Sequence, residues 1–258
     1  MTNTDSRYWV RSVARAAEVL EALARPEPMS VTEVAAECGL SKSSAFATLH
    51  TLLHFGLVAD EGEGMNRRYR LGMSLARLGA RAQEQVSLRD VARPTLVELT
   101  RRTGMNSRLA VPESGQAVVV DHVSNGDRVQ VDLRMGTREL PHCTGLGKAL
   151  LSAMSDAEVT EVVERVGLVR KTATTITSLP VLLSHLETVR ELGYAVDDEE
   201  DAEGIFCIGA PLRDHTGGCV GAISITSLKP GLPAWRYQEL GREVRDAAAA
   251  ISRALGRA

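Results

Sequence analysis

The segment GLSKSSAFATLHTLLHFGLV, residues 39–58, constrains this chain more than any other stretch. At about 100° per residue, Ala45, Leu49, Leu52 and Leu53 fall on one side of a helix. Ser43, Ser44, Ala47, His50 and Thr51 fall on the other. A solvated helix face ordinarily carries Glu, Lys and Arg, whereas this one carries small polar groups and no acid. Such a face either meets something negative at close range or belongs to a short surface helix. The flanking sequence bears on which. In SVTEVAAECGL, Ser30 and Glu33 have capping-box spacing, and Gly39 stands where a left-handed C-terminal residue is expected. Ser41 can open the next helix by accepting its free backbone N–H groups. A short helix, a glycine turn and a second short helix make a helix-turn-helix. Downstream, GLVAD and RRYRLG read as two short strands around the Gly-rich loop EGEGMN. That order is a winged helix-turn-helix ending near Gly72. Upstream, residues 10–24 show helical spacing through Val13, Ala16, Ala17, Leu20 and Leu23, and Pro26 and Pro28 end that helix.

A length of 258 residues suits two domains. Residues 73–104 read as two helical pieces with a break near Val86–Ser87 and Pro94 early in the second. The first piece is an interdomain linker helix, and its arginines read as a solvated face. The remainder reads α+β. SRLAVPE, QAVVVDHV and RVQVDLRM are strand-like, with SG and NGD as turn signals. GLGKALLSAM, SDAEVTEVVERVG and LPVLLSHLETVRELG are helices, the last closing on Gly193. YAVDD, GIFCIGAPLRD and VGAISITSL are strands, and an amphipathic helix runs from about Pro233 to Leu255. The fold expected is α+β with two domains. It comprises a winged helix-turn-helix over 1–72, a linker helix over 73–87, and over 88–258 a sheet covered by helices that encloses a pocket.

Several classes fall away. No apolar run approaches the roughly 20 residues that span a bilayer, and MTNTDSRYWVRS has no apolar segment of the secretory kind. Cys38, Cys143, Cys207 and Cys219 are far apart and form no CxxC, which argues against a zinc site or disulfide framework and fits a cytoplasmic protein. No metal or cofactor is expected. The formal net charge of −3 announces no nucleic-acid partner, but residues 64–82 hold Arg67, Arg68, Arg70, Arg77 and Arg81 and no acid.

A recognition helix must approach base edges closely, which excludes bulky or acidic outer residues. Ser43, Ser44, His50 and Thr51 can exchange hydrogen bonds with bases, Ala47 can touch a thymine methyl, and Lys42, with the helix N-terminus at Ser41, suits a phosphate. Arg67, Arg68 and Arg70 on the wing suit the DNA backbone or minor groove. In the C-terminal strands, alternation puts Ile205, Cys207 and Gly209 opposite the greasy Phe206, Ile208, Ala210 and Leu212. Ser224 and Thr226 likewise share a face opposite Ile223 and Ile225. Small and hydroxylated groups leave room for a guest and give it hydrogen bonds, whereas a solvated sheet face carries Lys and Glu. CTGLGKALLS fails as a phosphate loop, because one residue separates Gly145 from Gly147 and Ala149 follows Lys148. It reads instead as a helix N-terminus facing the pocket, with Gly145 letting a ligand near the backbone. Most of the acidic run 197–203 reads as a solvated turn, with Asp197 the one placed to turn inward. The enzyme alternative would combine His142, Cys143, Cys207 and Asp197, but no GxSxG elbow is present and spacing fixes no geometry for them. A third class is a ligand-binding module that no longer uses DNA.

These residues resemble the IclR-type bacterial transcriptional regulators over nearly the whole chain. The resemblance is carried by GLSKSSAFATLHTLLHFGLV with RYRLG, by HCTGLGKALL, and by GYAVDDEEDAEGIFCIGAPLRDHTGGCVGAISIT. It implies a winged-helix DNA-binding domain, a linker helix and a GAF/PAS-like effector domain. It also implies a homodimer, often a dimer of dimers, on a palindromic operator of double-stranded DNA, acting in repression or activation. The family's pocket maps by motif onto Gly145, Leu146, Asp197, Ile205, Cys207, Ser224 and Thr226, and its DNA contacts onto Lys42, Ser43, Ser44, Arg67 and Arg68. The family commonly carries an Arg in mid-helix where this sequence has Ala47, so its operator is expected to differ. Hydroxyls, one acid and aliphatics in the pocket suit a polyol, a sugar-like compound or a small organic acid.

Overall fold

Ser30 and Ser41 fix where the two helices of the helix-turn-helix begin. The computed structural model describes residues 9–85, 87–126, 134–230 and 232–257. The chain divides into two compact units between Val86 and Ser87. In the first unit, α1 (Arg11–Ala22) precedes a two-residue strand, β1 (Met29–Ser30). Ser30 Oγ accepts the Glu33 N–H at 3.3 Å while Glu33 Oε2 accepts the Ser30 N–H at 2.7 Å. This reciprocal pair starts α2 (Val31–Glu37) and satisfies two donors that a helix start leaves free. Gly39, at φ +61°, makes the left-handed turn. Ser41 Oγ then accepts the Ser44 N–H at 3.2 Å and starts α3 (Lys42–His54). Strands β2 (Val58–Glu61) and β3 (Arg68–Leu71) flank a loop with a 3₁₀ turn at Gly64–Asn66, and the three strands pair antiparallel in the order β1-β3-β2. Val19, Val34, Ala45, Leu49, Val58 and Tyr69 bury their side chains together between the helices and this sheet. Next comes α4 (Met73–Gln85), and of its residues 73–81 only Ser74 and Leu75 are half-buried.

The second unit is built on a six-stranded antiparallel sheet. Its elements are α5 (Leu88–Thr103), β4 (Asn106–Glu113), β5 (Gln116–Val123), β6 (Arg138–Glu139), α6 (Gly145–Ser152), α7 (Asp156–Val166), α8 (Leu179–Leu192), β7 (Ala195–Asp198), β8 (Ile205–Arg213), β9 (Cys219–Leu228) and α9 (Arg236–Ala254). The strand order is β6-β5-β4-β9-β8-β7. Alternation gives the sheet two faces. Leu109, Phe206, Ile208, Ile223 and Ile225 pack with α5 and α9 through Leu96, Leu240 and Val244. Each such fully buried side chain contributes about 1.5–3 kcal/mol. The opposite, inner face meets α6 through Ala110, Ala195 and Ala222 against Leu146, Ala149 and Leu150. Ser114 and Gly115, at φ 52° and 83°, make the two-residue turn between β4 and β5.

Two expectations are corrected here. The buried stripe of α1 is Val19, Ala22 and Leu23, while Val13 is 66% exposed and Ala17 is exposed too. At about 100° per residue, Val13 lies roughly 120° and Ala17 roughly 160° from Val19, so docking through Val19 turns both outward. Pro94 is the seventh residue of α5, deeper than expected, and its missing N–H leaves the Asp90 carbonyl without a helical partner. Strands β1 and β6 were not expected, since two residues carry no periodicity. The expected strand RVQVDLRM lies outside the described residues except for Arg134 and Met135, which are not in a strand.

Candidate functional site

The outer face of α3 carries exposed Lys42, Ser43, Ala47, His50 and Thr51, while Ser44 is half-buried and its hydroxyl bonds back to Ser41. Ser41 is exposed but its Oγ is committed to capping. The Thr51 hydroxyl donates to the Ala47 carbonyl at 2.9 Å, which leaves its oxygen free to accept. Phe46, which sequence reasoning missed, is 49% exposed with its ring 6.1 Å from that of His50. Its spacing of four residues from His50 would have placed it on that flank. The face is therefore not made of small groups alone. On the wing, Arg67 Nε pairs with Asp60 Oδ2 at 2.5 Å, and its guanidinium lies 5.7 Å from the centre of the Tyr69 ring. Arg68 Nη1 donates to the Pro28 carbonyl at 2.7 Å and to Glu33 at 3.2 Å. Arg70 is exposed, with no side-chain partner recorded among the described residues. Two of the three wing arginines are thus held by groups of their own domain.

In the second unit, strand register gathers most of the expected pocket residues on the inner face. Asp197 pairs across to Cys207, Cys207 to Thr226, and Thr226 to Asn106, in one row from β7 to β4. The adjoining row is Ala195, Gly209, Ser224, Arg108 and His122. Asp197, Cys207, Ser224 and Thr226 are all buried, and the Cys207 Sγ lies 3.2 Å from the Thr226 hydroxyl. Ile205 pairs with Leu228 at the end of this face and is half-buried. Leu146 and Gly145 come from α6, and their environment differs from that expected. Leu146 belongs to the apolar packing of α6 on the sheet. A β-carbon on Gly145 would lie 3.1 Å from the Gly209 nitrogen, and one on Gly209 would lie 2.2 Å from the Gly145 carbonyl oxygen. The two glycines let helix and strand touch backbone to backbone, so that contact already accounts for Gly145. The α6 N-terminus is also less open than expected, because the Thr144 hydroxyl takes the Gly147 N–H at 3.0 Å.

Charge on this unit is arranged by pairing. Asp197 is turned inward, and its Oδ1 accepts the Glu200 N–H at 2.8 Å. Burial pushes its carboxyl up to about 7, against the pull of that N–H and of Lys148. The acidic run is not a solvated turn. Lys148, with no exposed surface, pairs with Glu200 and donates to the Val196 carbonyl at 2.5 Å. Lys229 holds Asp198 and Glu199, at 2.9 and 2.5 Å. Two distant lysines thereby pin residues 198–200. Burial raises the Glu200 carboxyl, with Lys148 opposing.

Sequence reasoning also missed Arg108 and Glu139, which form a buried ion pair on the inner face. The alternation of NSRLAVPE put Arg108 opposite Leu109 and could have signalled it, whereas Glu139 sits in a stretch that reads as loop. Burial works against the Arg108 charge, but Glu139, Cys207 and Asp197 outweigh it and hold the group above its ordinary range. The proposed catalytic set is not assembled as one. His142 Nε2 lies 3.0 Å from the Val169 carbonyl, Cys143 Sγ 3.7 Å from Asp201, and Cys207 contacts Thr226 and Arg108. Burial pushes both thiols up, away from the thiolate form that a nucleophile needs.

Residues 12–62 match the family described as the IclR helix-turn-helix domain, and residues 80–253 match the C-terminal family of the bacterial transcriptional regulator IclR. The chain belongs to the IclR family. It is 33% identical over 247 residues to the HTH-type transcriptional regulator KdgR of Escherichia coli K12, covering 96% of this chain and 93% of that protein. It is 30% identical over 248 residues to the HTH-type transcriptional regulator XynR of the same strain, covering 96% and 98%. The crystal structure of the Agobacterium tumefaciens repressor BlcR superposes with a TM-score of 0.80 at 25% identity, covering 96% of this chain and 97% of that one. Like other IclR-family members, the protein is a DNA-binding transcriptional regulator whose operator binding is modulated by a small metabolite in the C-terminal domain. No helix among the described residues is long and apolar enough to cross a membrane.

Proposed function

We propose that α3 enters the major groove of a palindromic operator and reads it with Ser43, Ser44, Ala47, His50 and Thr51, while Lys42 and the Ser41-capped N-terminus take phosphates. Phe46 joins this surface beside His50. Arg70 is the wing residue available to the DNA backbone, and Arg67 and Arg68 reach it only by leaving their acidic partners. The observation that carries this reading is an exposed recognition-helix face with a lysine at its start and no acid along it. A homodimer, or a pair of dimers, presents two such helices to two half-sites. The DNA-binding domain spans residues 1–72, the linker helix 73–87 and the effector domain 88–258. The effector lies on the inner sheet face against Asp197, Cys207, Ser224 and Thr226, with Ile205, Gly145 and Leu146 framing it. The protein acts in the cytoplasm and carries out no reaction of its own, which the engaged His142 and the raised thiols support. A salt titration of binding to the chain's own upstream duplex tests the DNA side. Lys42→Ala lowers the slope of log affinity against log salt by about 0.9. Failure to bind that duplex at low ionic strength, with or without candidate metabolites, overturns the reading.

A further inference from the structure

The inner face of the C-terminal sheet holds polar groups that the fold leaves incomplete. Arg108, 6% exposed, is paired with Glu139, and its Nη2 lies 3.8 Å from the Cys207 Sγ. The pair nonetheless keeps a spare donor and a spare acceptor. Arg108 Nε and Glu139 Oε2 are both buried with no partner. Ser224 Oγ, directly across from Arg108 on β9, is likewise buried and unpartnered, as is His122 Nδ1 across from Arg108 on β5. Native structures leave few buried polar atoms unpaired, and each one calls for an explanation. Four on one patch, spread over adjacent strands around a single guanidinium, point to a ligand that completes them.

The charge of the face restricts what that ligand is. Its guanidinium is already neutralised by Glu139, and the carboxyl of Asp197 lies beyond Cys207 in the neighbouring row. The nearby Lys148 is taken by Glu200. No uncompensated cation among the described residues of this face waits for a carboxylate, which would meet Glu139 instead. A guanidinium beside a carboxylate offers donors and acceptors side by side, the complement of adjacent hydroxyl groups.

We propose that the effector is a polyhydroxylated compound without net negative charge, that the Arg108–Glu139 pair grips neighbouring hydroxyls through Arg108 Nε and Glu139 Oε2, and that Glu139 is the residue that excludes carboxylates. This rests on reading the inner face as the effector site, and it narrows the ligand class expected from the sequence by removing the organic acids.

The test is isothermal titration calorimetry of the full chain with matched probes that differ by one carboxylate: glycerol and glycerate, ribitol and ribonate, sorbitol and gluconate. In the wild type, a neutral member binds at least about tenfold more tightly than its acid, a factor worth about 1.4 kcal/mol. In Glu139→Gln, which frees the guanidinium charge, the ratio moves at least about tenfold toward the acid. A wild-type preference for the acids, or an unmoved ratio in Glu139→Gln, overturns the proposal while leaving the site in place. Heat from none of the six probes, in wild type or variant, overturns the reading of this face as the effector site and the proposal with it. Should the variant not fold, the wild-type ratio alone decides.

Discussion

Replacing Lys148 by Met tests whether a single buried ion pair holds the end of β7 in place. The lysine is fully buried and donates to the Val196 carbonyl at 2.5 Å as well as to Glu200. Methionine is nearly the same length and leaves little cavity, so the loss is electrostatic rather than one of packing. Glu200, itself buried, is left without its partner. Breaking a buried pair from one side costs about 3–5 kcal/mol. For the unit from Ser87 onward, of roughly 170 residues, each kcal/mol moves the midpoint by about 2–4 °C, so its transition falls by about 6–20 °C. Burial already raises the Glu200 carboxyl against the opposing pull of Lys148, and without the lysine it rises further. A protonated Glu200 costs less to bury, so the drop is larger at about pH 8 than at about pH 5. The double variant Lys148→Met with Glu200→Gln removes both charges and recovers most of the loss, leaving about 1 kcal/mol for the unmet Val196 carbonyl. Differential scanning calorimetry of the full chain measures all three proteins. A single-variant shift under about 3 °C, or a double variant no more stable than the single one, refutes the reasoning.

Asp197→Asn gives a pH-dependent gain. Because burial lifts the folded-state carboxyl to about 7 from 3.8, the folded chain holds its proton more tightly, and wild-type stability falls as pH climbs through that window. The variant is therefore more stable than wild type at about pH 8 and shows no such gain at about pH 4 in urea unfolding; an equal effect at both would contradict a buried, proton-holding Asp197. Gly209→Ala puts a β-carbon 2.2 Å from the Gly145 carbonyl and costs at least about 1–3 kcal/mol by the same measurement, and a loss under about 0.5 kcal/mol contradicts the backbone contact. Ser41→Ala removes the α3 cap and destabilises the N-terminal unit by about 0.5–2 kcal/mol in thermal unfolding, with Ser41→Gly costing only a few tenths; a Ser41→Ala loss under about 0.2 kcal/mol would mean the hydroxyl does no capping.

What the sequence made legible were features whose cause lies within a few residues. The capping box of Ser30 and Glu33, the left-handed turn at Gly39 and the Ser41 cap are local hydrogen-bond arrangements, and each stands where the spacing put it. Alternation along β8 and β9 sorted Cys207, Ser224 and Thr226 from Phe206, Ile208 and Ile225 for the same reason, since a strand's period of two is a property of its own backbone. The α1 stripe was misread because Ala16 and Ala17 are equally apolar neighbours, so composition does not say which of two rotations docks. Where the helix meets α2 and α3 decides that, and the choice buries Val19 and exposes Val13.

The residues that set the chemistry of the effector domain were harder to see for a physical reason. A carboxylate's fate depends on which cation reaches it, and those cations come from far away in the chain. Glu200 is buried by Lys148, Asp198 and Glu199 are held by Lys229, and Arg108 meets Glu139 across two strands. A run of six acids therefore looks like solvent-facing surface until distant lysines are brought against it. The same topology sets the polarity of the inner face. Ala195 and Gly209 let α6 pack closely on the sheet, while the pairing of Arg108 and Lys148 leaves hydrogen-bonding capacity at Arg108, Glu139 and Ser224 without surplus positive charge. Helix–sheet packing is encoded locally and charge pairing at long range, so under the proposal above the ligand preference follows Glu139 while the strands that build the face stay as they are.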